Sequence, residues 1–213
     1  MVTFLSIFFL LNIKCAPPGT IKIKNYYIDK TEIQNIHWQE YVWQKNKKND
    51  TKEAPTNPSD TLKLWYQRVE NPYKPVCYLT YEQALDYCKW RSEFVSASLN
   101  KKVTYRLPSR EEWREIAAEV VRINSKQTKR DLIKTKNKIK WNTGKYVLIE
   151  TERPRNRVYH MFDNVTEMTS EKGIAMGANN YELTTIETNL NRTIKYGKPN
   201  SYLGFRCIAE IEE

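Results

Sequence analysis

Apolar and polar positions alternate over residues 20–28 (TIKIKNYYI), the period-two pattern of a strand with one buried face. Thr31 and, three residues on, Gln34 have the spacing of a capping box, in which each side chain satisfies the other's backbone N–H. Behind it Ile33, Ile36, Trp38, Tyr41 and Val42 populate one side of a short helix, and the polar residues 45–60, with Pro55 and Pro58, read as a loop. A short apolar segment, Val76–Leu79, leads to a second box, Thr80 with Gln83. The helix it opens puts Tyr81, Ala84, Leu85, Cys88 and Val95 on one face. A third box, Ser109 with Glu112, opens a helix carrying Trp113, Ile116, Ala117 and Val120 inward. Between these two helices Val103–Pro108 is extended and closed by proline. Residues 124–145 lack regular apolar spacing and read as a long inserted loop. The remainder supplies only short strand-like pieces: Tyr146–Ile149, Val158–Met161, Ile174–Met176, Tyr181–Ile186 and Leu203–Ile211. There is no internal repeat. Helices gather in the first half and short strands in the second, which predicts an α+β domain with little regular structure rather than a doubly wound sheet.

With 213 residues the chain is long enough for one domain with a real core, or at most two small ones. Six Trp and fourteen Tyr point to an irregular interior filled by large amphipathic side chains. The net charge of +10 changes the picture little, because much of the excess sits in Lys45–Lys52 and Lys126–Lys145. Both runs read as surface lysines on solvated loops. No nucleic-acid motif accompanies them, so nucleic acid is not the expected partner.

Residues 1–15 differ in kind. The apolar run Phe4–Leu11 is too short to span a bilayer, where about 20 residues are needed, but suits the core of a signal peptide. Cys15 directly after it suggests a bacterial lipoprotein whose acylated N-terminus would be Cys15, although Lys14 stands where small residues are usual and no basic region precedes the run. A buried N-terminal strand or a truncated gene start are the alternatives. The expected organisation is a signal or lipoprotein-like segment over 1–15 and one domain over 16–213. Export would place Cys77, Cys88 and Cys207 in a disulfide-permissive compartment, with one bridge and one thiol as the arithmetic.

Five motifs in order carry a family resemblance. Tyr27-Ile28-Asp29-Lys30-Thr31-Glu32-Ile33-Gln34-Asn35 comes first. Pro75-Val76-Cys77-Tyr78-Leu79-Thr80-Tyr81 follows, continuing through Ala84 and Tyr87-Cys88-Lys89-Trp90. Then come Tyr105-Arg106-Leu107-Pro108-Ser109 with Glu112-Trp113, the run Tyr159–Met168 (YHMFDNVTEM), and Leu203-Gly204-Phe205-Arg206-Cys207. Together they resemble the formylglycine-generating, or sulfatase-modifying factor, family across residues 17–210. The resemblance implies a loop-enlarged C-type-lectin-like fold. The long spacing after Trp90 is similar to members that include exported lipoproteins of gliding and secretion machinery in Bacteroidetes. It further implies a structural disulfide between Cys88 and Cys207, set against two buried free thiols.

Enzymes of that family oxidise a substrate cysteine with copper(I) held by two thiolates, soft ligands suited to that ion, shortly before the final motif. Here that stretch is Thr188–Tyr196, and no cysteine lies anywhere between Cys88 and Cys207. Copper-dependent formylglycine formation is therefore not expected. Iron held by a histidine cluster is equally unsupported, with His37 and His160 the only histidines and neither near a second ligand. His37 reads as helix surface or core. The family's calcium site maps onto His160, Asp163, Val165 and Glu167. His160 replaces a hard oxygen ligand of the kind calcium prefers, leaving a retained calcium or a metal-free turn held by Asn164 and Glu167 as the two readings. Asp163 for glycine and Gly177-Ala178-Asn179-Asn180 depart further from the family pattern. No P-loop, nucleophile elbow or HExxH offers another chemistry, and Glu111-Glu112 is explained by helix capping.

The expected function is a non-catalytic binding or scaffold component of a bacterial envelope, periplasmic or on the outer membrane. Its partner would be a protein, peptide or glycan, and a lipid anchor at Cys15 would give membrane contact. Aromatics such as Trp141 and Tyr146 beside the basic stretch are candidates for such a surface, or anchors for the insertion. The alternative is a modifying enzyme of unknown chemistry, for which Asn200, Ser201 and Arg206 would converge in a cleft.

Overall fold

The alternating run near the start folds as a hairpin, not as one strand. β1 (Thr20–Ile23) and β2 (Tyr26–Asp29) pair antiparallel, Thr20 opposite Asp29 and Ile23 opposite Tyr26. Lys24 at φ 52 and Asn25 make the two-residue turn between them. The structure is a computed structural model, and it describes residues 16–47, 72–141, 149–152, 154–180 and 185–212.

β8 (Ile208–Ile211) inserts between β2 and β3 (Val103–Arg106), giving an antiparallel sheet of order β1-β2-β8-β3. A second sheet runs β6 (Thr193–Lys195), β5 (Ile174–Met176), β4 (Thr166–Met168), β7 (Leu203–Gly204), with β4 and β7 parallel. The expected strand at Leu203–Ile211 is thus two strands, one in each sheet. Phe205-Arg206-Cys207 crosses between them. Val158–Met161 forms no strand. Its Tyr159 N–H instead donates to Lys30 O at 2.7 Å. Of the other short pieces, residues 146–148 and 181–184 lie outside the described residues.

α1 (Asn35–Lys47) begins beyond Thr31, and the first capping box does not form. Gln34 is drawn away to satisfy two loop carbonyls, donating to Tyr73 O at 2.8 Å and Thr151 O at 2.9 Å. Trp38 and Tyr41 are buried, while Ile36 is exposed. The second box is real. Gln83 N–H donates to Thr80 Oγ1 at 3.1 Å and Thr80 N–H to Gln83 Oε1 at 2.9 Å, opening α2 (Tyr81–Leu99). Leu85 lies on its exposed side, and Asn100 ends it in the left-handed region, a regular helix stop.

The third box, Ser109 with Glu112, opens α3 (Arg110–Trp141), and here the expected loop is corrected. The helix continues past a non-helical Asn124 (φ −129, ψ 27) through most of the lysine-rich stretch. Lysine, arginine and glutamine are good helix formers, and Leu132 and Thr135 dock that half on the body, too few apolar positions to display a period. Lys45 is likewise no loop lysine. It sits in α1, largely buried, with Nζ 3.0 Å from Asp86. A short α4 (Ile186–Asn191), capped by Thr185, completes the elements.

Two apolar clusters hold the layers. Trp38, Tyr41, Tyr87, Trp90 and Phe205 pack with ring centroids 4.9–6.4 Å apart between α1, α2 and the first sheet. Trp113, Ile116, Val120, Phe162 and Met176 join the start of α3 to the second sheet. The fold is α+β, with the loops between the sheets carrying the polar centre described next.

Candidate functional site

Arg206 is fully buried where the chain crosses between sheets, and its guanidinium organises that crossing. Nε donates to Glu167 Oε1 at 2.6 Å, Nη1 to Asp29 O at 3.2 Å and Nη2 to Tyr159 O at 2.9 Å. The second oxygen of Glu167 accepts from Trp113 Nε1 at 2.7 Å. Asp29 repeats the theme one layer out, taking both Nη atoms of Arg91 at 2.9 and 2.7 Å and the N–H of Cys207 at 2.8 Å. Buried charges persist only when paired and hydrogen-bonded in this way.

Next to this lies the turn formed by His160–Asn164. His160 (φ 55) and Asn164 (φ 72) take left-handed backbone, which Asn and His tolerate better than most residues. Asn164 is tied on every side: its amide donates to Glu32 Oε1 and Ile149 O at 3.1 Å each, and its Oδ1 accepts from Ile149 N–H at 2.8 Å. His160 Nδ1 is 3.0 Å from Asp163 Oδ1 and its Nε2 is 3.1 Å from Thr151 Oγ1. Thr135, from the second half of α3, donates to the other Asp163 oxygen. Burial pulls the imidazolium pKa down, but the Asp163 carboxylate more than offsets this and lifts it to about 9. Asp163 is correspondingly held below the usual carboxylate range, His160 overcoming the effect of burial. Burial raises Glu32 to about 7 against the pull of His160 and Arg206.

These residues do not fit a calcium shell. Glu167 spends both oxygens on Arg206 and Trp113, and Asp163 spends its own on Thr135 and on His160, which brings nitrogen and a positive charge where an oxygen donor would be required. Among the described residues no group of three or more His, Cys, Asp or Glu side chains could hold a metal ion. Val165 is buried beside them against Cys77 and Tyr78. In this geometry the turn is held by Asn164 hydrogen bonds, with His160 set against Asp163 inside it.

A groove of about 880 Å³ opens on the second sheet. Thr166 and Leu203 lie along it, and Arg192, Ile194, Lys195, Tyr196, Lys198, Pro199, Asn200 and Tyr202 supply much of its lining. Asn200 is therefore where a cleft was expected. Ser201 sits in the adjoining turn without lining it, and Arg206 belongs to the buried centre, not the groove. The stretch Thr188–Tyr196, which the resemblance aligns with the thiolates, gives the end of α4 and β6. It delivers Arg192, Ile194, Lys195 and Tyr196 to this groove. No thiol, imidazole or carboxylate is among the described residues that line it. Sequence reading singled out this stretch only for the cysteines it lacks. Its cations and tyrosine are what the structure adds.

The remaining expected sites are placed as follows. Cys88 and Cys207 are buried thiols with sulfurs 3.4 Å apart, in contact but not bonded. Cys77 is a third buried thiol. His37 lies on α1 facing a smaller pocket shared with Arg91 and Phe94. Cys15 and Tyr146 fall outside the described residues, as does the side chain of Trp141. No helix among the described residues is long and apolar enough to cross a membrane.

Two small sheets are thus bridged by an Arg–Glu–Trp centre, with a groove beside the final Gly-Phe-Arg motif. The Sulfatase-modifying factor enzyme 1-like domain matches residues 8–211, and the chain belongs to that family. Among solved structures, it is similar to PvdO from Pseudomonas aeruginosa, with a TM-score of 0.52 and 13% identity over 87% of this chain and 80% of that one. A crystal structure of CarF aligns with a TM-score of 0.49 and 14% identity over 88% and 87% of the two chains. At 13% identity the likeness to PvdO speaks for the fold alone. A comparison with curated protein sequences finds no match.

Proposed function

We propose that this chain is a non-catalytic binding member of its family, exported to a bacterial envelope. It would take an anionic, extended partner, an acidic peptide or acidic glycan, into the groove. The observation that carries the reading is the groove wall. The stretch that in the family's enzymes supplies copper-binding thiolates here supplies Arg192, Lys195 and Tyr196, and no thiol is among the described lining residues. Cations and tyrosine edges recognise carboxylates and hydroxyls but do not activate oxygen. The scaffold role expected from the gliding-type resemblance, and a lipid anchor at Cys15, are part of the same proposal.

The test is titration of the full chain with acidic and neutral peptides and with acidic and neutral oligosaccharides. Saturable, salt-sensitive binding of the acidic members, weakened in a Lys195→Gln/Lys198→Gln variant, is the expected result. Absence of binding, or binding indifferent to those two substitutions, refutes it.

One observation favours the competing reading of a modifying enzyme. The Tyr196 hydroxyl is buried without a hydrogen-bond partner among the described residues, and burial pushes its pKa up. A hydrogen-bond donor left unsatisfied in this way would gain from a substrate oxygen brought against it. Conversion of any bound peptide to a covalently altered product, lost in Tyr196→Phe, would establish that reading in place of ours.

A further inference from the structure

The second half of α3 carries a face that the fold does not use. Beyond Asn124, Thr128, Leu132 and Thr135 turn inward, and Asp131 on the same side is 2.6 Å from the Arg157 guanidinium. At about 100° per residue, Lys126, Lys129, Arg130, Ile133, Lys134 and Lys136 fall on the opposite side, and all are exposed. None of the five cations has an ion-pair partner among the described residues. Asp131 is the only acid between 125 and 141, and it is already engaged. Residues 125–137 therefore present a strip roughly 20 Å long with positive charge alone. At its middle sits Ile133, 57% exposed, and just before the kink Ile123 is 46% exposed.

We propose that this face of α3 docks on an anionic lipid bilayer, the lysines against the lipid phosphates and Ile133 dipping between headgroups. Charge complementarity selects a polyanion, and the isoleucine selects among polyanions. An apolar side chain ringed by lysines gains from an interface with both charge and hydrocarbon, as interfacial basic helices do. A nucleic acid offers it nothing. The face also lacks what polynucleotide binding uses: there is no aromatic stacking group on it, and lysines outnumber its single arginine, so planar bidentate phosphate contacts are scarce. No residue of this face lines the groove, so the inference stands independently of the binding reading above.

The experiment is co-sedimentation of the full chain with phosphatidylcholine vesicles, with and without phosphatidylglycerol. Attachment to phosphatidylcholine alone measures whatever the apolar segment Phe4–Leu11 contributes. The face should add phosphatidylglycerol-dependent binding that falls with salt. In Lys126→Gln/Lys129→Gln/Lys134→Gln this added binding should drop on the order of a hundredfold, at about one surface-charge contribution per lysine. Glutamine keeps the helix propensity, so unchanged helical dichroism shows that the loss is not unfolding. Ile133→Ser should weaken the added binding severalfold. Equal binding to both vesicle types, or full retention by the triple variant, overturns the proposal. So does tighter binding to duplex DNA than to phosphatidylglycerol vesicles, unaffected by Ile133→Ser, because it would make the face a nucleic-acid surface.

Discussion

Replacing Arg206 by methionine removes the cation paired with Glu167 while keeping an unbranched side chain. Arg206 and Glu167 have side chains 0% and 1% exposed, so the Glu167 carboxylate would be stranded with Trp113 as its remaining partner among the described residues. Two carbonyls, Asp29 O and Tyr159 O, lose a donor in the same step. Breaking a buried pair from one side costs about 3–5 kcal/mol, out of a total of roughly 5–15 kcal/mol for a domain. For this size each kcal/mol moves the midpoint by about 2–4 °C, so Tm should fall by roughly 6–20 °C. Urea unfolding followed by tryptophan fluorescence reads the first quantity and calorimetry the second. The decisive comparison is Arg206→Met/Glu167→Gln, in which the stranded charge is gone and Trp113 still has an oxygen to donate to. That double variant should be more stable than Arg206→Met alone. A single-variant cost below about 1 kcal/mol, or a double variant as costly as the sum of its singles, would refute the account of the centre as one charge-coupled unit.

Other outcomes test other parts of the fold. Glu32, raised by burial to about 7 from 4.5, and His160, raised to about 9 from 6.5, both hold protons more tightly folded than unfolded. Their contributions are complete below the unfolded values and are lost as pH climbs through the folded ones. Unfolding free energy should therefore decline across that range, and Glu32→Gln should flatten the lower part of it. A thiol oxidant such as diamide should take two electrons and two protons from Cys88 and Cys207 to form one intramolecular disulfide. The bridge would span 119 residues of sequence and add on the order of 4–5 kcal/mol. Cys77, whose thiol burial pushes up, should stay unmodified, and intact mass with thiol counting reads both. Gly204→Ala should cost about 1–3 kcal/mol in chemical denaturation, because a Cβ there would lie 2.9 Å from Val165 Cγ2 and 3.1 Å from Val76 O. A cost near zero would mean that Val165 and the backbone at Val76 can move aside at that point.

What could be read in advance was whatever is encoded locally. The boxes at Thr80 and Ser109 place their helices because their signal is three residues long and nothing nearby competes. The same signal at Thr31 misled because Gln34 is needed by Tyr73 and Thr151, partners up to 117 residues away that no local pattern announces. The helical lysine stretch was hidden for the opposite reason: with Leu132 and Thr135 as its main buried contacts, it has no period to detect. A disulfide between Cys88 and Cys207 was implied by resemblance, and the two thiols lie in contact, 3.4 Å apart. The groove was half visible, since Asn200 lines it, whereas Arg206 was misassigned because a Gly-Phe-Arg motif says nothing about which way the guanidinium turns.

The position of β8 has a bearing on how the first sheet assembles. It follows the other described elements in chain order, yet it is an interior strand, with Ala209 opposite both Tyr27 and Tyr105. Without it the β1–β2 hairpin and β3 have no common neighbour, and Asp29 lacks the Cys207 N–H that it binds from 178 residues away. The sheet therefore closes only when segments far apart in the chain meet, a long-range step of the kind that slows folding.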